Sequence, residues 1–135
     1  MAALETICVD TDIIIDYLKG NQYKHILSAL VKKYNCVVTP ITAFELYYGG
    51  FYTGAIKPVE DVLTIFDLLH WTKEASKESA RIHAELTKKG KGIEMRDALI
   101  AGICISQKVS IVTRNIKHFQ RIKDLHAIDG ASLTK

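Results

Sequence analysis

The chain has 135 residues, 48% hydrophobic and 24% charged, which suits one globular domain over residues 1–135 and argues against disorder. Its formal net charge of +3 is compatible with a polyanionic partner but far weaker than a dedicated DNA-binding domain would carry. The start, Met-Ala-Ala-Leu-Glu, has no basic n-region, and the charge-free run Ala98–Gln107 is too short to span a bilayer, so neither a secretory leader nor a membrane segment is expected and a cytoplasmic location is.

Three short runs rich in β-branched residues stand out as strands: Thr6–Val9, Cys36–Thr39 and Ser110–Thr113. They are continuous rather than alternating, as strands buried on both faces are. Between the first two, Ile13, Ile14, Tyr17 and Leu18 mark a short helix that Gly20 can end. Tyr23, Ile26, Leu27, Leu30, Val31 and Tyr34 then form one apolar helical stripe. After the second strand comes a helix opened by Pro40. Val59, Val62, Leu63, Phe66 and Leu69 make another stripe, with Pro58 in its first turn.

A strand is also expected at Leu68–Trp71. Ala75, Ser79, Ile82 and Leu86 mark a more polar helix, closed by Lys88-Lys89-Gly90-Lys91-Gly92. That basic run reads either as a helix end or as a phosphate-contacting loop. Ala98–Ser106 is apolar nearly all round and should be buried, and a weaker strand lies near Leu125–Ile128. Strands alternating with helices imply parallel βαβ units, hence an α/β fold: a three-layer α/β/α sandwich with a mostly parallel central sheet. Cys8, Cys36 and Cys104 sit apart in apolar runs with no C-x-x-C, so they read as buried free thiols.

Ligands of such folds gather at the carboxyl ends of the strands. Val9-Asp10-Thr11-Asp12 follows the first strand, and Thr39-Pro40-Ile41-Thr42-Ala43-Phe44-Glu45 the second. Asp97 opens the buried helix, and Thr113-Arg114-Asn115 follows the strand after it. These acids would share one rim of the sheet. Crowded carboxylates repel, and a hard divalent cation removes that repulsion; two or three carboxylates suit Mg²⁺ or Mn²⁺. Each acid also has a plain structural reading. Asp10 and Asp12 can open a helix, Thr42-x-x-Glu45 can be a capping box, and Asp97 can be a first-turn acid. Their shared location carries the functional reading.

The same segments, together with Arg96-Asp97-Ala98-Leu99-Ile100-Ala101-Gly102 and Val112-Thr113-Arg114-Asn115-Ile116-Lys117-His118-Phe119, resemble the PIN-domain ribonucleases, in particular the VapC-like toxins. The resemblance implies a PIN-like fold, metal-dependent endoribonuclease activity on RNA, and the toxin role in a toxin–antitoxin pair. It carries Asp10, Glu45 and Asp97 over as metal-binding acids for Mg²⁺ or Mn²⁺. Where many relatives have a fourth Asp, this chain has Asn115, and His118 stands where another acid is common. One firmly held metal is therefore expected rather than a symmetric pair, with Asn115 completing the catalytic set.

Supporting roles fall to Asp12, Thr11, Thr113, Arg114 and His118, the last being the one histidine of five inside a strand-end motif. Arg96 is expected to pair with the neighbouring acids. Phe44, Tyr47, Tyr48, Phe51 and Tyr52 crowd one helix. They read as core, as a homodimer contact or as an antitoxin-binding surface, and the resemblance favours a partner. Two alternatives stay open: a PIN-like module that binds RNA or a partner without efficient cleavage, and a phosphatase of the haloacid dehalogenase type. The latter shares Asp-x-Asp after the first strand but lacks here the Gly-rich loop and the late acidic pair.

Overall fold

In the computed structural model, residues 3–134 are described. Five strands, β1 Thr6–Val9, β2 Asn35–Val38, β3 Asp67–Leu68, β4 Ser110–Thr113 and β5 Ala127–Asp129, form one sheet in the order β3-β2-β1-β4-β5. Every pairing is parallel, so the described sheet is wholly rather than mostly parallel. The chain moves outward from β1 to β3, then crosses back to place β4 on the other side of β1. That reversal leaves a crevice beyond the carboxyl ends of β1 and β4, where α/β sheets bind ligands.

Helices α1 Thr11–Lys19, α2 His25–Lys33, α3 Pro40–Thr53, α4 Ile56–Leu63, α5 Lys73–Lys88, α6 Met95–Ser106 and the short α7 Ile116–Phe119 surround the sheet, and a 3₁₀ turn spans Gly130–Thr134. Alternation along β1 sends Ile7 and Val9 into one core and Cys8 into the other. The first core adds Ile13, Leu27, Leu46 and Val62; the second adds Ile82, Ile100, Ile103 and Phe119. Burial on both faces is why β1, β2 and β4 read as unbroken apolar runs. All three cysteines are free and buried.

Several boundaries differ from the sequence expectation. The stripe starting at Val59 ends its helix at Leu63, and Phe66 and Leu69 reach the core from positions just before and just after β3. Backbone bonds from Ile65 to Val62 and from Phe66 to Leu63 tighten that end into a turn. The strand expected at Leu68–Trp71 is the two-residue β3, pairing Asp67 with Val37 and Leu68 with Val38. Tyr23 precedes α2, because the Asn21 side chain accepts from its N–H in a turn. The last strand begins two residues later than expected, and α7 has no counterpart among the expected elements.

The basic run ends α5 as a helix terminus. Gly90 takes φ 69°, its N–H donating to Thr87 O while that of Lys91 donates to Leu86 O, the paired pattern of a Schellman motif. Where α5 crosses α6, only glycine fits at position 102. A Cβ there would lie 2.0 Å from Ser79 Oγ, 2.5 Å from Ser79 N and 2.8 Å from Ala75 O. This close approach fixes α6, and with it the residues at its N-terminus. Among the described residues, no helix is long and apolar enough to cross a membrane.

Candidate active site

Asp10 leaves the end of β1 at the crevice and is 2% exposed. It is the N-cap of α1, its Oδ1 accepting from Thr11 N–H at 2.8 Å, while Oδ2 accepts from Thr113 Oγ1 at 2.9 Å. Glu45 lies on α3, whose N-cap is Thr39: its Oγ1 accepts from Thr42 N–H at 3.2 Å, with Pro40 in the first turn. The capping box expected from Thr42 and Glu45 therefore does not form. The true cap lies three residues earlier and leaves Glu45 free to face the crevice. Asp97 comes from the first turn of α6, whose N-cap Glu94 makes no side-chain capping bond.

One guanidinium joins the three acids. Arg96 donates to Glu45 through Nε (2.7 Å) and Nη2 (2.9 Å), to Asp97 through Nη1 (2.6 Å), and to Asp10 through Nη2 (3.0 Å). Thr11 Oγ1 accepts from Arg96 at 3.1 Å and lies 2.7 Å from Glu45 Oε1 and 2.9 Å from Thr42 Oγ1. On the far side of Asp97, His118 Nδ1 lies 3.2 Å from Oδ2. Burial disfavours the Arg96 cation, but hydrogen bonds to Glu45 and the charge of Asp10 outweigh it and raise its pKa. Burial pushes Asp97 up, opposed by Arg96.

The donor set has the chemistry of a divalent-cation site. Its acids already converge on a cation, the guanidinium. Among the described residues no three acidic, histidine or cysteine side chains are gathered closely enough to hold a metal ion as they stand. They are spread around a planar group larger than an ion.

Asp12 sits beside this centre. Its Oδ2 accepts from Arg114 N–H (3.1 Å) and Asn115 Nδ2 (3.1 Å) and lies 3.2 Å from Thr113 Oγ1. Its Oδ1 is buried without a hydrogen-bond partner among the described residues. Burial, reinforced by the charge of Asp10, pushes its carboxyl up to about 6. Asn115 thus faces Asp12 rather than the three-acid centre. Arg114 turns elsewhere: its guanidinium pairs with buried Asp16 and lies 3.9 Å from the centre of the Tyr23 ring. Only its backbone N–H reaches the Asp12 carboxylate, and its side chain is committed to Asp16 and Tyr23 rather than to the three acids.

A family model described as PIN domain matches residues 7–125. The chain belongs to the PIN-domain family. Among curated PIN relatives, Ribonuclease VapC3 of Methanocaldococcus jannaschii is 34% identical over 95 residues, covering 70% of this chain and 94% of that protein. Ribonuclease VapC1 of Haemophilus influenzae is 32% identical over 124 residues, covering 87% and 92%. A crystal structure of VapBC2 from Rickettsia felis, bound to a DNA fragment from its promoter, matches with TM-score 0.80 and 25% identity, covering 92% of this chain and 98% of that one. The structure of VapBC-1 from nontypeable Haemophilus influenzae matches with TM-score 0.78 and 30% identity, covering 93% and 98%. The chain is a VapC-like PIN domain, and the haloacid dehalogenase alternative falls away.

Two further surfaces of this PIN domain flank the acids. A cleft of about 390 Å³ opens beside Asp97, lined by Gly92, Ile93, Glu94, His118 and Arg121. Arg121 donates to Gly92 O and ties the loop before α6 to the residues after α7. The second surface is α3. None of its five aromatics is core: Phe51 and Tyr52 are 72% and 80% exposed, Phe44 and Tyr48 are over half exposed, and Tyr47 is at 41%. Phe44, Tyr48 and Tyr52 stack in file at 6.3 and 6.0 Å between centroids, the i, i+4 spacing of one helix face. The opposite side of α3 walls an apolar groove of about 380 Å³ with Ile15, Leu18, Leu46, Pro58 and Val59, and Glu45 is part of its lining.

Thr42 and Asp16 join the site although the sequence pattern does not mark them for it. Thr42 has the pattern of a cap, whereas its hydroxyl meets that of Thr11 at 2.9 Å. Asp16 lies one turn beyond Asp12 on α1, and that i, i+4 spacing was the available signal for a second acid on the same face.

Proposed function

We propose that this PIN domain is a divalent-metal-dependent endoribonuclease and the toxin of a toxin–antitoxin pair. The observation that carries the reading is the convergence of Asp10, Glu45 and Asp97, from three separate segments of the chain, on a single cation at the sheet's switch point. Asp10, Glu45 and Asp97 would hold one Mg²⁺ or Mn²⁺. When bound, such an ion supplies Lewis-acid activation of the scissile phosphate and of the attacking water. Thr11 and Thr113 orient Glu45 and Asp10 through their hydroxyls, and His118 steadies Asp97. Asp12, with Asn115 as its donor, supplies a nearby charge where many relatives carry a fourth Asp. The cleft beside Asp97 gives an RNA strand a route past the acids, with Arg121 as a cation for the backbone.

RNA rather than DNA is inferred from the family, because hydrolysis by an activated water does not need the 2′-hydroxyl. The apolar groove whose lining includes Glu45 suits an apolar antitoxin segment, which would lie against that acid when seated. The aromatic file on the opposite face of α3 suits a second copy of the chain, since Tyr and Phe are favoured in interface cores. A cytoplasmic location, where RNA and a protein antitoxin are made, accords with this role.

The test compares the wild-type protein with Asp97→Asn on single-stranded RNA, with Mn²⁺ or Mg²⁺ and with chelator. Loss of about a hundredfold or more in rate is expected from the substitution, and loss of cleavage from chelation. Equal cleavage by both proteins, or cleavage that survives chelation, overturns the metal-carboxylate reading. A second reading, an RNA- or partner-binding PIN module without efficient cleavage, is favoured by one feature: Asn115 adds no charge. RNA binding with no metal-dependent cleavage under any of these conditions would establish it instead.

A further inference from the structure

We infer that Arg96 is the acidic centre's built-in counter-ion, and that a divalent cation must displace its guanidinium before Asp10, Glu45 and Asp97 can hold the metal. The inference rests on the metal-site reading above and adds a control on metal affinity to it. Arg96 is 28% exposed and engages oxygens of all three acids: both oxygens of Glu45, Oδ1 of Asp10 and Oδ1 of Asp97. Its planar fork takes Glu45 in two hydrogen bonds, the strongest arrangement open to a carboxylate and an arginine.

Four of the six carboxylate oxygens are thereby held, and a fifth, Asp10 Oδ2, accepts from Thr113 Oγ1 at 2.9 Å, so a metal held by the three acids would draw on oxygens that Arg96 now occupies. A monovalent and a divalent cation cannot share them, because the two would meet at ion-pair distance in a site whose carboxylates are largely shielded from water. Asp97 Oδ2 is turned to His118 and offers no vacant alternative. Binding is therefore an exchange, and the metal's apparent affinity is lowered by the fraction of molecules in which the guanidinium is seated.

The exchange makes opposite demands on one residue. Without metal, Arg96 neutralises the Asp10 and Asp97 carboxylates at 2–3% side-chain exposure, and removing it leaves His118 as the basic side chain beside Asp97, so its loss should weaken the fold. With metal, removing it should tighten binding. A purely structural brace would produce only the first effect. A residue that contacts only phosphate would produce neither.

The experiment measures Mn²⁺ binding by isothermal titration calorimetry and the melting temperature with and without Mn²⁺, for the full-length wild type, Arg96→Gln and Arg96→Lys. If the guanidinium is seated in 90–99% of molecules, Arg96→Gln should bind Mn²⁺ about 10–100-fold more tightly. It should melt lower than wild type in chelator and gain more from added Mn²⁺. Arg96→Lys keeps the charge but loses the fork, and should fall between the two; it serves alone if Arg96→Gln does not fold. Mn²⁺ binding by wild type with equal or weaker binding by the variants overturns the counter-ion role and leaves the nuclease reading standing. No Mn²⁺ binding by any of the three overturns both.

Discussion

Replacing Asp12 by Asn should stabilise the metal-free protein at neutral pH, with a gain that vanishes in acid. The Asp12 carboxyl is pushed from 3.8 to about 6, first by burial and then by the charge of Asp10. A raised folded-state pKa means that the folded chain binds the proton more tightly than the unfolded one. Its contribution to stability is therefore fully present below the unfolded value and is lost as pH rises through about 6. At about 1.4 kcal/mol per pKa unit, the difference amounts to roughly 3 kcal/mol at most, and to about 1–3 kcal/mol after allowance for solvent at a partly exposed side chain. Asparagine keeps an acceptor for Thr113, Arg114 N–H and Asn115 and never ionises.

The assay is urea unfolding in chelator at intervals from pH 3.5 to 7.5. Asp97 is also raised by burial, but it is common to both proteins and cancels in the difference. The variant's advantage should grow between pH 4 and pH 7 and then level off. A difference that is flat with pH, or one that favours the wild type as pH rises, would refute the raised Asp12 carboxyl.

Other perturbations test the frame that holds the site. Gly102→Ala should cost about 1–3 kcal/mol in urea unfolding by overpacking the α5–α6 crossing. Adding Ser79→Ala should restore little, because Ser79 N and Ala75 O, at 2.5 and 2.8 Å from the new Cβ, remain; full rescue would show that the hydroxyl alone was the obstacle. Arg114→Ala should lower stability by about 3 kcal/mol, since it strips buried Asp16 of its cation and, among the described residues, leaves Asn21 as its side-chain donor. A melting temperature within a degree of wild type would refute that. Phe51→Lys with Tyr52→Glu should leave unfolding of the monomer within about 0.5 kcal/mol, because both rings are mostly exposed. The same pair should abolish self-association in sedimentation velocity; a dimer that persists would move the copy-to-copy contact off α3.

The sheet was legible because its inner strands are buried on both faces, so that β1, β2 and β4 each carry a β-branched run with no polar interruption. The edges were not. Leu68 is half exposed and β3 pairs over only two residues, which gives an apolar pattern little to act on. The stripe from Val59 to Leu69 misled for a related reason: Phe66 and Leu69 are buried, so their spacing continued a helical pattern past the point where the backbone had already turned. Burial is what periodicity reports, and a turn that packs on the core reports it as well as a helix does. The α3 aromatics show the converse. Their composition identified an unusual face, but whether it was core or surface depended on which side of α3 the sheet lay.

The acids raise a different point. For Asp10 the cap reading and the site reading are the same geometry. Holding Thr11 N–H orients a carboxylate whose oxygens also receive Arg96 and Thr113, so the cap is what points the ligand. Asp97 likewise sits in a first turn and in the centre at once. Glu45 alone had to be one or the other. There the hydroxyl of Thr39 takes the capping role, and the glutamate is left with no backbone partner to satisfy. Local pattern could not decide this, since Thr39 and Thr42 both stand at positions that suit a cap. The decision comes from Pro40, whose fixed φ and missing N–H suit the first helical position and so place the cap one residue before it. A helix that starts at Pro40 brings Glu45 round on its second turn to face Thr11 and Arg96. One proline thus converts a generic capping signature into a carboxylate aimed at the rim of the sheet.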